Sequence, residues 1–259
     1  MVAKDSARKA VSMREHGNLY FVYRQKLDVA APSGRDDLQR LYLVASPRGR
    51  DSYRLIVIPE KRLPAVDGSA DRKSWGFVAK VASDLEEVED ELDPKTRVTT
   101  TRGERHVPAA RPAGEAVYSI VRHRNHVHLA YALELPRPPG DVQRALNIVE
   151  EGSYIVAVKN PRVEQPPGVG LDERRKARFP RTLQARFRGR RFIPLDPPDF
   201  LDHEGAEIVL IGAHRHVFAE LGIRLDPEQE TLATAEIFTD LRMEMSLHPL
   251  TPLLEGRWA

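Results

Sequence analysis

Short apolar runs of strand length, separated by turn residues, recur between Gly17 and about Ser83 and constrain the fold more than any other feature. They read NLYFVYRQKL, QRLYLVAS, YRLIVIPEKRL and SWGFVAKVAS. The segment SPRGRDS, between the second and third runs, carries the Pro and Gly typical of a hairpin loop. The pattern predicts an antiparallel meander, in which Tyr20, Tyr23 and Trp75 are expected to pack in the sheet or the core.

The same pattern resumes after a gap, at EAVYSIVRH, HVHLAYALELP and GSYIVAVKNP. Within the gap, DLEEVEDELD predicts a short helix over residues 84–93, because Leu85, Val88 and Leu92 fall on one helical face and Asp84 can cap its start. Beyond a Pro- and Gly-rich stretch, RFIPLD, AEIVLIGA, VFAELGI and ETLATAEIFTDLRMEM predict strand, strand, helix and helix.

These elements predict an α+β fold: a mostly antiparallel β-sheet or partly closed barrel, followed by a small α/β unit packed against it. A chain of 259 residues is long enough to bury a substantial core. The expected divisions are a flexible N-terminal tail over 1–16, a β-rich domain over 17–160, a Pro/Gly linker with an Arg-rich segment over 161–191, and the α/β unit over 192–259.

The chain contains no cysteine, which excludes disulfides, thiolate metal sites and cysteine nucleophiles. A cysteine-free chain is typical of a reducing compartment and predicts a cytoplasmic location. The basic start of the chain, MVAKDSARKAVSMREHGNLYF, lacks the apolar core of a secretory signal. No run approaches the roughly 18 apolar residues of a membrane span, so no membrane partner is expected.

The net charge of +2 is too small to imply a polyanionic partner, but the local charge of residues 171–191 is large. That segment contains two acidic residues and nine basic ones. The basic residues are Arg174, Arg175, Lys176, Arg178, Arg181, Arg186, Arg188, Arg190 and Arg191. Phe179 and Phe187 lie between them, and Phe192 follows the last one. Because arginine pairs bidentately with phosphate and phenylalanine stacks on bases, the segment predicts a site for nucleic acid or a phosphate-bearing ligand.

Two other interpretations of this segment are open. Phe179, Leu183 and Phe187 lie at i, i+4 spacing, so the arginines could be the solvated side of a helix packed on the core. The acidic helix over residues 84–93 has seven acidic residues and no basic one, so it could neutralise the segment within the molecule.

Two His-x-His pairs are candidate metal ligands. Strand alternation places His126 and His128 on the face opposite Val127, Leu129, Tyr131, Leu133 and Leu135, while His214 and His216 follow an apolar strand. With Asp202 and Glu204, they could bind zinc or another divalent metal. The alternative is a solvated strand face and a helix start, with the Asp-rich stretch DPPDFLDHEGAE acting as a Pro-stiffened turn.

Three common catalytic motifs are absent from the sequence. There is no Walker-type phosphate loop, no complete dinucleotide fingerprint around Gly168, and no G-x-S-x-G nucleophile elbow.

Several stretches together resemble an uncharacterised family of bacteria and fungi, some of whose fungal members are labelled BTB-domain transcription factors. They are HGNLYFVYRQKL, LQRLYLVASP, YRLIVIPEKRLP, HVHLAYALELP, GSYIVAVKNP and GRRFIPLDPPDFLDHEGAEIVLIGA, and they cover most of the chain from Gly17 to about Ala213. The resemblance implies no activity, cofactor or catalytic residue. A BTB fold is mostly helical, whereas residues 17–160 are β-rich, so neither that fold nor the transcription role is transferred.

The sequence leaves three functional hypotheses. The first is a soluble binding or accessory protein that engages an anionic partner through the Arg-rich segment. The second is a divalent-metal hydrolase that uses the histidine pairs, with Asp202 or Glu204 as its base. The third is a structural or homo-oligomeric scaffold in which both clusters are ordinary surface.

Overall fold

The computed structural model describes residues 11–67, 73–99, 103–164, 170–228 and 230–259. Within these residues the chain forms eleven strands: β1 Ser12–Gln25, β2 Leu38–Pro47, β3 Tyr53–Ile58, β4 Lys73–Ala82, β5 Lys95–Thr99, β6 Gly103–Val107, β7 Arg111–His123, β8 His126–Leu135, β9 Glu151–Lys159, β10 Phe192–Pro194 and β11 Glu207–His214. The same residues form six short α-helices: α1 Leu85–Leu92, α2 Asp141–Leu146, α3 Arg181–Arg186, α4 Val217–Leu221, α5 Ile237–Asp240 and α6 Thr251–Leu254. None of the helices in the described residues is long and apolar enough to span a membrane.

Eight of the strands close into an antiparallel barrel. Their order is β9-β11-β4-β3-β2-β1-β7-β8, and β8 pairs back onto β9 through residues 128–132 and 151–155. The short strand β10 continues the edge of β9 beyond the end of β8. Closure gives every strand of the ring two neighbours and so leaves no open edge, which satisfies the backbone groups that an open sheet would expose. The predicted mostly antiparallel β architecture is confirmed.

The α/β unit predicted for residues 192–259 is not confirmed. Strand β11 lies between β9 and β4 and is antiparallel to both, so this part of the chain supplies one strand of the barrel. The predicted order of a strand followed by a helix is present, since α4 follows β11. The strands that pair with β11, however, are distant in sequence, and the order of strands and helices along the chain does not reveal which strands pair.

The start of the barrel also differs from the prediction of a flexible tail over residues 1–16. Strand β1 already begins at Ser12, and Glu15 within it is buried with an ion pair to Arg54. Residues 1–10 of the predicted tail lie outside the described residues, as do residues 165–169 of the predicted linker.

Alternating side chains of the strands fill the barrel. On β8, Val127, Leu129, Tyr131 and Leu133 join the central core cluster, whereas Leu135 belongs to a second cluster on the outside. The alternation predicted for this strand is therefore confirmed over most of its length. Burial of aliphatic and aromatic side chains at about 25 cal/mol per Å² makes this cluster the main source of stability.

Part of the outer face of the barrel is buried as well. Tyr20 and Val22 of β1 face outward and pack with residues of α1, α5 and α6. Helix α4 covers another outer patch near Val121 and Ala130. Strands that are buried on both faces have continuous apolar runs, which explains why stretches such as NLYFVY are apolar at nearly every position.

Candidate functional site

A basic cleft of 670 Å³ opens between β4, residues 171–178 and the turn at residues 202–205. Its cationic lining residues are Arg40, Lys80, Arg174, Arg175, Lys176 and Arg178. Three acidic residues, Glu91, Asp202 and Glu204, also line the cleft, so cations outnumber carboxylates by two to one. Four residues of the predicted anion-binding segment thus meet at one place.

Gly205 brings the arginine-bearing wall of the cleft close to β4. Its N–H donates to the carbonyl oxygen of Val78 at 2.8 Å, and its own carbonyl accepts from the N–H of Ala177 at 3.1 Å. The φ angle of Gly205 is +79°, and a Cβ there would lie 2.0 Å from the carbonyl oxygen of Arg175. Glycine is needed because other residues are strained at this φ and have no room for a side chain.

Aromatic and aliphatic side chains anchor the Arg-rich segment in the barrel. Phe179, Leu183 and Phe187 belong to the central core cluster, and the ring centroids of Phe179 and Phe187 lie 5.9 Å apart. Phe179 also contacts Phe200 edge to face at 5.0 Å. The apolar spacing of the segment therefore does mark a face packed on the core, and this packing holds the arginines on the outside.

The arginines of the segment are exposed and largely unpaired. All eight are exposed, whereas the side chain of Lys176 is buried and pairs with Glu173. The guanidinium of Arg175 lies 5.5 Å from the ring centroid of Phe77, a cation–π distance. Within the described part of the chain, none of these eight arginines forms an ion pair with a carboxylate.

The acidic helix α1 neutralises other cations of the cleft. Glu91 lies 3.4 Å from Arg40, and Glu87 contacts Lys80. The hydrogen bond to Glu87 raises the pKa of Lys80, so this lysine keeps its charge. The alternative in which α1 pairs with the Arg-rich segment does not hold among the described residues.

Two further arginines of the segment lie at a second place, beside α3. Arg181 and Arg188, together with Arg162, line a shallow depression of 480 Å³ beside α3. Arg191 donates to the carbonyl oxygen of Glu164 at 3.2 Å. The segment that is continuous in sequence is thus divided into a cleft group and an α3 group.

Aromatic side chains next to the cleft were missed by the sequence analysis. Trp75 and Phe77 alternate with Gly76 and Val78 on β4; the latter two face the core. Both rings are half-buried, and the ring of Phe192 lies 5.9 Å from that of Trp75. Trp75 therefore packs in the sheet with only part of its ring, and the rest of the ring is open to solvent. The alternation along SWGFV is the signal that could have placed both rings on the outer face.

The two histidine pairs are carried by different strands: His126 and His128 lie on β8, whereas His214 ends β11 and His216 follows it at the start of α4. Strands β8 and β11 are separated by β9, and the register aligns His214 with Ser153 and Ala130, four residues along β8 from His126. Within the described ranges, no group of three or more His, Asp or Glu side chains has a geometry that could hold a metal ion. His214 instead accepts a hydrogen bond from the backbone N–H of His216 at 3.0 Å.

His128 is buried, unlike the solvated residue expected on a polar strand face. Its Nδ1 lies 3.0 Å from the hydroxyl of Ser153, and helix α4 covers it with Glu220 at 3.8 Å. Burial, together with the charges of the neighbouring His123 and His126, lowers the pKa of His128 to about 4. His128 is therefore neutral at ordinary pH.

Asp202 and Glu204, the candidate carboxylate ligands, have structural partners. Asp202 accepts from Nε of Arg54 at 2.7 Å and from Arg50 at 3.2 Å. Glu204 accepts from the backbone N–H of Val81 at 3.2 Å. These contacts fasten the Asp-rich turn to the barrel.

Acidic side chains surround a second cavity, of 480 Å³, where the C-terminal segment crosses the outer face of the barrel. Glu134 of β8 lines it and accepts from the N–H of Glu228 at 2.8 Å. The neighbouring Glu115 of β7 is buried and accepts from the N–H groups of Glu236 and Ile237 at 2.8 and 3.4 Å. Burial raises the pKa of Glu115 to about 8 and that of Glu134 to about 7.

Comparison with known proteins adds no functional assignment. No protein-family model, no curated protein and no solved structure matches this chain.

Proposed function

We propose that this protein is a binding or accessory protein that engages an anionic partner, a nucleic acid or a phosphate-bearing ligand, through the basic cleft. The observation that carries the proposal is the wall formed by Arg174, Arg175 and Arg178, whose side chains are exposed and form no ion pair with the described part of the chain. A cysteine-free chain is typical of a reducing compartment, and we place this binding in the cytoplasm.

The chemistry of the wall favours phosphate over a simple counter-ion. The planar guanidinium presents paired donors that match two oxygens of a phosphate, and it remains charged at all physiological pH values. Cations gathered in a concave site also focus their field and attract anions from a distance. Arg40 and Lys80 are engaged by α1, so the three free arginines are the groups available for first contact with a ligand.

The proposal can be tested by fluorescence anisotropy with a labelled oligonucleotide of about 12 nucleotides, as a single strand and as a duplex, over a range of salt concentrations. In the variant R174A/R175A/R178A, we expect affinity at low salt to fall about tenfold or more. The slope of log Kobs against log salt should shrink by about 2 for the single strand, because each lost phosphate contact contributes about 0.7.

A variant of equal charge provides the matched control. R137A/R224A/R257A removes three exposed arginines outside the cleft and should bind like the wild type. If the wild type binds neither oligonucleotide at low salt, or if both variants lose affinity equally, the basic cleft is not a specific site for nucleic acid. The first of those results would favour the scaffold hypothesis.

A further inference from the structure

Three aromatic rings form a row that leads away from the basic cleft across the outer face of the barrel. Phe77 lines the cleft, Trp75 lies two residues before it on β4, and the ring centroid of Phe192 on β10 lies 5.9 Å from that of Trp75. Successive side chains on one face of a strand are about 6.7 Å apart. All three rings are half-buried, so each keeps part of its surface open to solvent.

Basic side chains lie next to the rings of this aromatic row. Arg175 lies over Phe77 at 5.5 Å, and Nζ of Lys73 lies 5.7 Å from the centroid of Trp75. Arg191, adjacent to Phe192, is exposed. The row therefore has positive charge at the cleft end, in the middle and at the far end.

A buried ion pair lies beneath the aromatic row and holds together the two strands that carry its residues, β9 and β11. Lys159 and Glu207 are both buried and bonded to each other, and Nζ of Lys159 lies 5.7 Å from the centroid of Trp75. Glu207 also accepts from the N–H of Leu171 at 3.0 Å, which ties the start of the Arg-rich wall to the same place. The rings and the wall therefore share one rigid support.

We propose that the anionic partner is single-stranded nucleic acid, with bases stacked on Trp75 and Phe192 and phosphates bound by the arginines of the basic cleft and by Arg191. This inference rests on the proposed function and names the ligand class of the same site. Proteins that bind single strands without sequence preference combine a positive groove with aromatic side chains in this way.

The arrangement favours a single strand over a duplex. In a double helix the faces of the bases are stacked on one another, so rings on a protein surface cannot reach them, whereas a single strand offers the face of every base. Lys73 has an exposed side chain and can move from the ring of Trp75 to a phosphate when a base takes its place.

The test distinguishes the contribution of the aromatic rings to binding from that of the basic side chains. Wild type, W75L and W75F are titrated with a labelled single strand of about 12 nucleotides, with its duplex and with inorganic tripolyphosphate. We expect W75L to lose about fivefold or more in affinity for the single strand, while W75F, which keeps an aromatic ring, loses much less. Affinity for tripolyphosphate should be the same in all three proteins, and the duplex should bind the wild type more weakly than the single strand does.

A spectroscopic signature and a control variant complete the design. The chain has two tryptophans, so in the variant W258F the emission comes from Trp75 alone and should be quenched as a base stacks on it. F218L is the matched control, because Phe218 is an exposed ring beside Arg224, at 5.2 Å, and lies outside the row. Thermal melts of each variant establish that it is folded.

The outcomes distinguish this inference from the proposed function. If none of the three probes binds, the proposed function itself fails. If the single strand binds W75L as tightly as wild type, or binds W258F without changing its emission, the cleft is an anion site but bases do not stack on the aromatic row. Equal or tighter binding of the duplex would likewise overturn the assignment to single strands.

Discussion

Two glutamates on the outer face of the barrel are held in an environment that favours their protonated form. Burial raises the pKa of Glu115 to about 8 and that of Glu134 to about 7, and the charges of Glu134 and Glu230 act on Glu115 in the same direction. A carboxyl group whose pKa is higher in the folded than in the unfolded chain stabilises the fold at low pH. That contribution is lost as the pH rises from the ordinary glutamate value of 4.5 towards 8.

The variant E115Q tests this linkage. Glutamine keeps an oxygen that can accept from the N–H of Glu236, but it cannot ionise, so we expect wild type and variant to have similar melting temperatures near about pH 5. At about pH 9 the variant should melt at a higher temperature than the wild type. A difference between the two proteins that stays constant across this pH range would contradict the raised pKa of Glu115.

At the scale of elements, the turn between β10 and β11 is fastened to the rim of the barrel by arginine–aspartate pairs. Asp196 accepts from Arg122 at 2.9 Å, and Asp202 from Arg54 at 2.7 Å. Arg54 is fully buried and also donates to Glu15 at 2.6 Å. The carboxylates of DPPDFLD, which could have served acid–base chemistry, therefore close one end of the barrel.

Two arginines of this rim should differ sharply in their contribution to stability. R54M leaves Glu15 and Asp202 without their buried partner, and we expect a loss of about 3 kcal/mol or more in the free energy of unfolding. R50A removes an exposed arginine that pairs with Asp199 and Asp202, and should cost less than about 1 kcal/mol. Urea denaturation of both variants measures this difference.

A double variant checks the reason for that loss. R54M/E15Q removes both buried charges and should recover part of the stability lost in R54M. Equal destabilisation by R54M and R50A would contradict the dominant role assigned to the buried pair.

Single elements were predictable where one local pattern decides them. Helix α1 begins as expected, with the N–H of Glu86 bonded to the Asp84 side chain at 2.9 Å, and the alternation of β8 separates inner from outer residues. The burial of His128 was not predictable, because it depends on α4, which lies about 90 residues further along the chain. Local alternation tells which face a residue is on, but not what covers that face.

At the scale of the whole molecule, closure of the barrel depends on pairings between distant parts of the chain. β11 inserts between β9 and β4, and β4 lies more than 120 residues before it. Sequence patterns identify strands but not their neighbours, so a sheet or a partly closed barrel was as far as the prediction could go. The same long-range pairing turned the expected α/β unit into a barrel strand.

The sequence predicted which charged residues belong to the candidate site, but it did not predict the shape of the cleft. Nine basic residues identified the segment, and the spacing of Phe179, Leu183 and Phe187 identified its buried side. The cleft itself needs Gly205 and β4, which come from elsewhere in the chain. A charge pattern therefore predicts a candidate anion site, but the fold decides which of its arginines lie together.

Single-strand binding at the basic cleft is tested most directly by a heteronuclear NMR titration of the protein with a single-stranded oligonucleotide of about 12 nucleotides at low salt. We expect the indole N–H resonance of Trp75 and the backbone amides of residues 171–178 to shift together, while the indole of Trp258 and the amides of residues 230–240 beside the acidic cavity stay in place. Shifts confined to other surfaces, or no shifts at any concentration, would contradict it.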